Sequence, residues 1–542
     1  MEVSLKNVLM IAYSFPPAGG PGVQRTSKFV KYLRHYGWEP VVLTRDTIKM
    51  PLRDESLGKD IPDNIRIIRT KAWDLTSGSR IMGLIGKFIS RKLLIPDSER
   101  LWEIFSRKEA GRVIESHNIR LIYTTSLPYS SHLMAIHLKE KYHHIPWVAD
   151  FRDEWTNNPY ILDNPHNLIR MSIERKMEKR VLETADYLIT NTPIMLKNFI
   201  ENNLDIANLK DRFFVIPNGY DPDDFKHIDL GVSSELLPDL PPGLSSESTC
   251  QSDTIQDIKQ YQYQKQHQDQ HQHQCQHQYQ HKYQEQEQKQ EQEQHQDQRQ
   301  HQCQHQYQHK YQEQEQEQKQ EQEQRKEQNK GQEEKQYMLQ NKDQNKCCDS
   351  FTITYTGSFY GRRKPDMFFN ALSELIAENK INKDNIHVKL IGNFKTEQLK
   401  QLLKEYDLEG VVGILPYMDH DQCIVNMAAS DCLLLIEGAG PGSEAFYTGK
   451  VFEYMVSGRP ILAIIPQHGA AAQLIKETKT GLISDCTDLE ATKKNIENLY
   501  TSWLKNIHNY SPDKEEIKKY ERNTLAMELA KVFDKALSLK SR

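Results

Sequence analysis

Most of the stretch from about Gly231 to Ser350 alternates glutamine with His, Glu, Lys, Asp and Tyr, and aliphatic side chains almost vanish from it. Such a stretch has no apolar surface with which to offset the entropy of ordering, so it cannot form a core, and it predicts a disordered insertion. Whatever folds must fold on either side of it. Within the tract CQHQYQHKYQEQEQ occurs at Cys275 and again at Cys303. That repeat reads as tandem duplication of low-complexity sequence, because solenoid units need an apolar face to stack. Its His and Cys also admit a metal-buffer reading, but ligands without fixed geometry bind weakly and without selectivity.

The flanks have a different texture. Before the tract, short β-rich runs (KNVLMIAY, EPVVLT, IRIIRT, RLIYTTS, PWVADF, YLIT, FFVIP) alternate with amphipathic stretches such as SHLMAIHLKEKYH and LIRMSIERKMEKRVLETA. After it come FTITYTG, HVKLIG, VVGILPY, CLLLIE and PILAII, with helices expected near Pro365, Thr396, Asp421, Lys450 and Ala470. Strands alternating with helices predict parallel α/β architecture, here two doubly wound sheets. With 542 residues, two sizeable cores are expected. The expected division is 1–230, the insertion 231–350, 351–488, and C-terminal helices over 489–542. The last region either crosses back to brace the first domain or ends as a plain amphipathic helix.

The composition closes off other classes. A formal net charge of -5 lacks the broad basic face that nucleic-acid binding needs. The first of the eight cysteines is Cys250, and their scatter is not a secreted disulfide framework. The N-terminal apolar run has no basic leader and reads as a first strand, and no run is long enough to span a bilayer. A cytoplasmic protein is the expectation. RIMGLIGKFISRKLLIP, from Arg80 to Pro96, mixes apolar and basic residues and fits either peripheral membrane contact or a helix packed on the first domain.

In open α/β sheets ligands gather beyond the carboxyl ends of strands, so the loops there matter most. In SFPPAGGPGVQRT, Gly19, Gly20 and Gly22 precede a helix expected to start near Thr26. They either let backbone amides approach a phosphate or sugar, or form a Pro/Gly turn. Their spacing is not the dinucleotide fingerprint GxGxxG, which disfavours NAD and FAD. VADFRDEW sets Asp150, Arg152 and Asp153 at a strand end, as a base with an acceptor-binding charge partner or as a salt bridge with a helix cap from Asp153. YTGSFYGRRKPD puts Arg362, Arg363 and Lys364 at a strand end before a helix. That is a site for a diphosphate leaving group or a solvated basic turn. In EGAGPGSEAFYTGKVFEYMVSGRPILAI, Glu453 is placed to accept both hydroxyls of a ribose or to sit idle on a helix surface.

Taken together, YTTSLPYSSHLMA, WVADFRDEW, FVIPNGYDPDDF, YTGSFYGRRKPD and TGKVFEYMVSGRPILAI resemble glycosyltransferase family 4. These are retaining enzymes of the GT-B fold, two Rossmann-like domains facing a cleft. The likeness covers both flanks and omits the tract, making 231–350 an insertion at the interdomain linker. It implies transfer of a sugar from a nucleotide diphosphate donor to a saccharide or lipid-linked acceptor, as in cell-envelope polysaccharide synthesis. It implies Arg363 or Lys364 on the donor diphosphate and Glu453 on the ribose, and with Arg362, Gly357, Gly449 and Lys450 these make up the expected donor set. The implied chemistry needs no metal and no cofactor, the cations of the chain neutralising the diphosphate. Asp221 and Asp223 have DxD spacing but fall at the domain boundary. The chain departs from the family at Ala445, where the first of its paired glutamates is often found, with Glu444 one residue away. It also lacks the histidine commonly seen near the end of the fifth strand, where ADFRD stands. A non-catalytic nucleotide-sugar binder or scaffold, and a sugar-nucleotide epimerase of the same fold, remain the competing readings.

Overall fold

The computed structural model describes residues 5–48, 53–72, 94–226, 350–507 and 509–539. The glutamine tract apart from Ser350, and residues 80–93 of the amphipathic segment, lie outside these. The first flank runs β1 (Lys6–Ile11), α1 (Pro21–Tyr32), β2 (Trp38–Arg45), β3 (Arg66–Thr70), α2 (Arg100–Ser116), β4 (Ile119–Thr125), α3 (Ser130–Lys141), β5 (Trp147–Phe151), α4 (Pro159–Asp163), α5 (Leu168–Thr184), β6 (Tyr187–Thr190), α6 (Pro193–Asn202), α7 (Leu209–Arg212) and β7 (Phe213–Val215). The second runs β8 (Phe351–Thr356), α8 (Asp366–Ala377), β9 (Ile386–Ile391), α9 (Thr396–Glu405), β10 (Val412–Leu415), α10 (His420–Ala428), β11 (Cys432–Ile436), α11 (Lys450–Val456), β12 (Ile461–Ile464), α12 (Ala470–Thr478) and β13 (Gly481–Ser484). Three helices follow, α13 (Leu489–Leu504), α14 (Lys514–Lys518) and α15 (Arg522–Leu539).

Both sheets are parallel. Their orders are β3-β2-β1-β4-β5-β6-β7 and β10-β9-β8-β11-β12-β13, so each reverses direction beside its first strand, at β1/β4 and at β8/β11. Crevices for ligands open at such reversals. Strands buried on both faces must read as nearly unbroken apolar runs. β11 (CLLLI) is one: Cys432, Leu434 and Ile436 pack into one core while Leu433 and Leu435 pack into another on the opposite face. β1 divides in the same way, Leu9 and Ile11 from Val8 and Met10. β13, a four-residue strand that pairs with β12, was not among the expected strands. It is short and half-buried, so it lacks the apolar run that marked the others.

Helix α1 corrects one expectation. It begins at Pro21 and not near Thr26, because Gly20 at φ 108 turns the chain and a proline occupies the first turn, where its missing N–H costs nothing. Of the last helices, α13 stays with the second sheet, its Lys493 bridging Glu374 (2.8 Å) and Glu378 (2.5 Å) on and just beyond α8. Helix α15 returns to the first sheet, burying Leu525, Leu529 and Phe533 against Val8, Phe29 and Trp38. Phe533 meets Trp38 edge-on at 5.2 Å. The two passes of chain cross where Tyr220 N–H donates to Tyr520 O (3.1 Å) and Arg522 N–H donates to Tyr220 O (2.8 Å). A Cβ at Gly219 would lie 2.1 Å from Tyr520 O, so only glycine allows that approach. Both sheets belong to one compact unit.

Candidate functional site

In the first lobe the Asp150 carboxylate at the end of β5 is fully buried. It accepts from Arg25 Nε (2.9 Å) and Nη2 (3.0 Å), Tyr123 Oη (2.6 Å) and Thr125 Oγ1 (3.1 Å). Burial acts to raise its pKa, but Arg25 and the Tyr123 hydrogen bond outweigh that and hold it below the usual carboxylate range. Both its oxygens are thus occupied within the lobe. Arg152 turns back as well, donating to the carbonyls of Gly22, Ser126 and Leu127. It staples the glycine loop to the turn after β4. Gly19 and Gly20 are half-buried ahead of α1 and Gly22 lies inside its first turn. Asp153 differs. It is half-buried, no described residue gives it a hydrogen bond or ion pair, and burial raises its pKa against the pull of Arg152. Asp153 does not cap a helix, since α4 is capped by Asn158.

The acids of YDPDDF gather elsewhere. Asp60, Asp221 and Asp224 come close enough to share an ion. Their charge is met from within by Lys28, 2.7, 2.8 and 2.5 Å from them in that order, and Lys31 lies 2.8 Å from Asp221 and 2.7 Å from Asp223.

In the second lobe three loops converge on the β8/β11 reversal. Gly357 follows β8 at φ +119, and a Cβ there would sit 2.6 Å from Lys450 Nζ. Its absence lets the Lys450 ammonium reach the Thr356 carbonyl and lie 4.0 Å over the Tyr355 ring. Lys450 opens α11 directly after Gly449, and burial drives its pKa well below the usual lysine value. Arg363 is half-buried, donates from Nε to Ile436 O (3.0 Å) and lies over Tyr360 at 5.0 Å. The charges of both act on Glu437, directly after β11. Arg362 reaches across the gap to Asp163 at the end of α4 (Nε to Oδ1, 2.8 Å) while also bonding Pro441 O and Ser443 Oγ. Lys364 is exposed.

Glu453, one turn along α11 from Lys450, accepts from His420 Nε2 (2.9 Å) and from Gln24 Nε2 of the first lobe (3.2 Å). Burial opposes both charges in the His420 pair, yet the pairing prevails. His420 is pushed up to about 9 and Glu453 is held below its ordinary range. Arg363 and Glu453 are therefore not on opposite surfaces. Both act on the charge of Lys450, and Glu453 touches the other lobe.

Ala445 is buried in the core of the first lobe, and its carbonyl accepts from Thr192 Oγ1 (2.9 Å). The position at which the family often carries a glutamate is here an apolar contact between lobes, and Glu444 beside it is exposed. Reasoning from sequence missed Gln24, Arg25, His420 and Glu437. Arg25 and Glu437 lie inside motifs that were singled out, so charge at a strand end or helix start could have flagged them. His420, a single histidine after a turn, carried no such signal.

Residues 339–523 match the family model described as Glycosyl transferases group 1, about a third of the chain. No curated protein matches in sequence. Solved structures match over nearly the whole chain at low identity. A glycosyltransferase from Rickettsia africae ESF-5 is 13% identical, with 98% of this chain and 99% of that one covered and a TM-score of 0.53. Sucrose-phosphate synthase from Thermosynechococcus elongatus is 13% identical, covering 98% and 100%, with a TM-score of 0.56. A structure titled trehalose-6-phosphate from E. coli, bound with UDP-2-fluoro glucose, is 10% identical, covering 97% and 99%, with a TM-score of 0.54. The fold is GT-B, two Rossmann-like domains. No helix among the described residues is long and apolar enough to cross a membrane.

Proposed function

We propose that this chain is a glycosyltransferase that moves a sugar from a nucleoside diphosphate donor to an acceptor hydroxyl, with retention at the anomeric carbon. One observation carries the reading. Arg363 and Lys450 come from separate loops to the strand-order reversal of the second sheet, with Glu453 beside Lys450 and in contact with the first lobe. An arginine and a lysine converging on a buried crevice neutralise a departing diphosphate without reorganising at the moment of reaction, the diphosphate charge holding the lysine protonated against its burial. The group 1 match over the second lobe and the UDP-2-fluoro glucose bound in a structure of the same fold support a nucleotide sugar as the ligand.

In this reading Arg363 and Lys450 hold the diphosphate, with Arg362 and Lys364 at the rim. Gly357 and Gly449 keep the floor clear of side chains, and Glu453 accepts the ribose hydroxyls once Gln24 yields. The bond from the anomeric carbon to the diphosphate oxygen breaks as the acceptor oxygen approaches from the same face. Asp153, the unspent carboxylate of its corner, receives the acceptor proton. Asp150 and Arg152 act one step removed, fixing the corner that presents Asp153 and the glycine loop. No divalent ion is called for. The acceptor is a saccharide or a lipid-linked saccharide, met in the cytoplasm or at the inner face of the membrane.

The test incubates the full chain with UDP-glucose and with GDP-mannose and follows released nucleoside diphosphate, the anomeric configuration of product being read by NMR. Turnover with retention is expected. Tight binding without release of diphosphate would make the chain a binder or scaffold, and an epimerised donor without an acceptor would make it an epimerase.

A further inference from the structure

In the first lobe, the spacing of Leu168, Met171, Arg175 and Lys176 puts them on one side of α5. None of the four is buried. With Ile161 and Leu162 of α4 they wall an open pocket of about 440 Å³, within the size range of small-molecule sites. Leu168 is 89% exposed and Leu162 37%. Large apolar side chains left together at a surface mark a place where something apolar binds. The cations of the wall are equally free. The other basic residues of α5 are paired, Arg170 with Glu174 (2.7 Å), Lys179 with Asp205 and Arg180 with Glu140 (2.7 Å). Arg175 and Lys176 are exposed, and no described residue gives either one a hydrogen bond or an ion pair.

We propose that this pocket binds a lipid phosphate, its apolar chain lying along Ile161, Leu162, Leu168 and Met171 and its phosphate monoester held by Arg175 and Lys176. The charges match. A phosphate monoester carries close to two negative charges at pH 7, and two unpaired cations stand side by side in the wall. The guanidinium offers it a planar fork of donors and the ammonium a compact charge. A fatty-acid carboxylate would meet the same pair with half the charge. The hollow shape favours a single chain over a bilayer, whose flat face cannot fill it. The pocket also has a place in the architecture. The wall from α4 continues into Asp163, which holds Arg362 of the second lobe (2.8 Å), and a Cβ at Gly442 of that lobe would lie 3.4 Å from Leu162. The site therefore adjoins the contact between the lobes, shares no residue with the donor set and does not depend on the glycosyl-transfer reading.

The experiment is calorimetric titration of the full wild-type chain, and of Arg175→Ala/Lys176→Ala, with octyl phosphate, decyl phosphate, decyl maltoside and inorganic phosphate, the amphiphiles below their micelle concentrations. Decyl phosphate should bind wild type roughly tenfold or more tighter than octyl phosphate, each buried methylene being worth about fourfold. Inorganic phosphate should not saturate, and the double variant should weaken decyl phosphate by roughly tenfold or more. Equal affinity for the two chain lengths, decyl maltoside bound as tightly as decyl phosphate, or a double variant with wild-type affinity would each overturn the proposal. Should the double variant lose its cooperative melt, decyl phosphate is compared with decyl maltoside on wild type at low and high salt, where a preference for the phosphate that shrinks with salt is expected and no preference would overturn the assignment. Vesicles of phosphatidylcholine and phosphatidylglycerol carry negative charge without a phosphate monoester. They should co-sediment wild type and double variant alike, and recruitment of wild type alone would make this face a membrane-docking surface in place of a lipid phosphate site.

Discussion

As strings of letters, the ADFRD corner of the N-terminal lobe and the cation cluster of the C-terminal lobe are alike, each a knot of charge at the end of a buried strand. In the structure they are opposites. Asp150 and Arg152 spend their hydrogen-bonding capacity inside the lobe, on Arg25, Tyr123, Thr125 and three backbone carbonyls. Arg363, Lys450 and Glu437 share a crevice without closing on one another, each anchored by a single hydrogen bond. The partners that saturate the ADFRD corner come from α1, β4 and the turn after β4, 25 to 130 positions away in the chain. Charge density at a strand end shows that something is being held there, and the count of remote partners decides whether it is the fold or a ligand.

The contrast breaks first at Asp150. Asp150→Ala leaves the Arg25 guanidinium buried without its counter-charge, and removing one partner of such a pair costs about 3–5 kcal/mol. Chemical denaturation should show a large drop in midpoint, and a midpoint close to wild type would mean that the corner is not the internal brace described here. Arg363→Ala tests the other side. It should lower stability by only about 1 kcal/mol, the worth of one hydrogen bond, while transfer falls on the order of 10²-fold, as when one preorganised contact to a leaving group is lost. A destabilised but fully active Arg363→Ala would invert the comparison.

Much of this architecture was legible. Apolar runs such as CLLLIE and PWVADF, too short for a buried helix, announce strands covered on both faces, and each of the twelve expected runs is a strand. β13 escaped because four half-buried residues carry no such signal. The contents of the cleft were harder to read. Gln24 meets Glu453 across 429 positions of sequence, and the pairing of Arg25 with Asp150 depends on how α1 lies over the sheet. Periodicity gives the faces of an element but not its partners across the chain. The apolar role of Ala445 was invisible for the same reason, since its neighbours belong to the other lobe.

The His420–Glu453 pair sharpens the comparison by pH. His420 rises from 6.5 to about 9 on folding, so its contribution is whole below about 6.5 and is lost as pH climbs through about 9. Glu453 is depressed, so its contribution is present above its ordinary 4.5 and is lost only on acidification. Between pH 6.5 and 9 wild type should lose stability relative to His420→Asn, by about 2–3 kcal/mol as the shift implies. Denaturation midpoints of both proteins across that range check it, and parallel pH profiles would place the pair outside the energetics of folding.

The smallest effect is expected two residues from Arg362, within one run of cations. Lys364 is exposed and no described residue pairs with it, whereas Arg363 is half-buried, bonded to Ile436 O and stacked on Tyr360. An exposed ammonium acts through water and salt, so its attraction to a donor diphosphate is screened over about 10 Å at 0.1 M ionic strength. Lys364→Ala should therefore raise KM by only about threefold, leave kcat alone, and lose even that difference as salt is added. A fall in kcat that persists in high salt would put Lys364 on the leaving group beside Arg363, and the division of the run into one buried and one solvated cation would have to be redrawn.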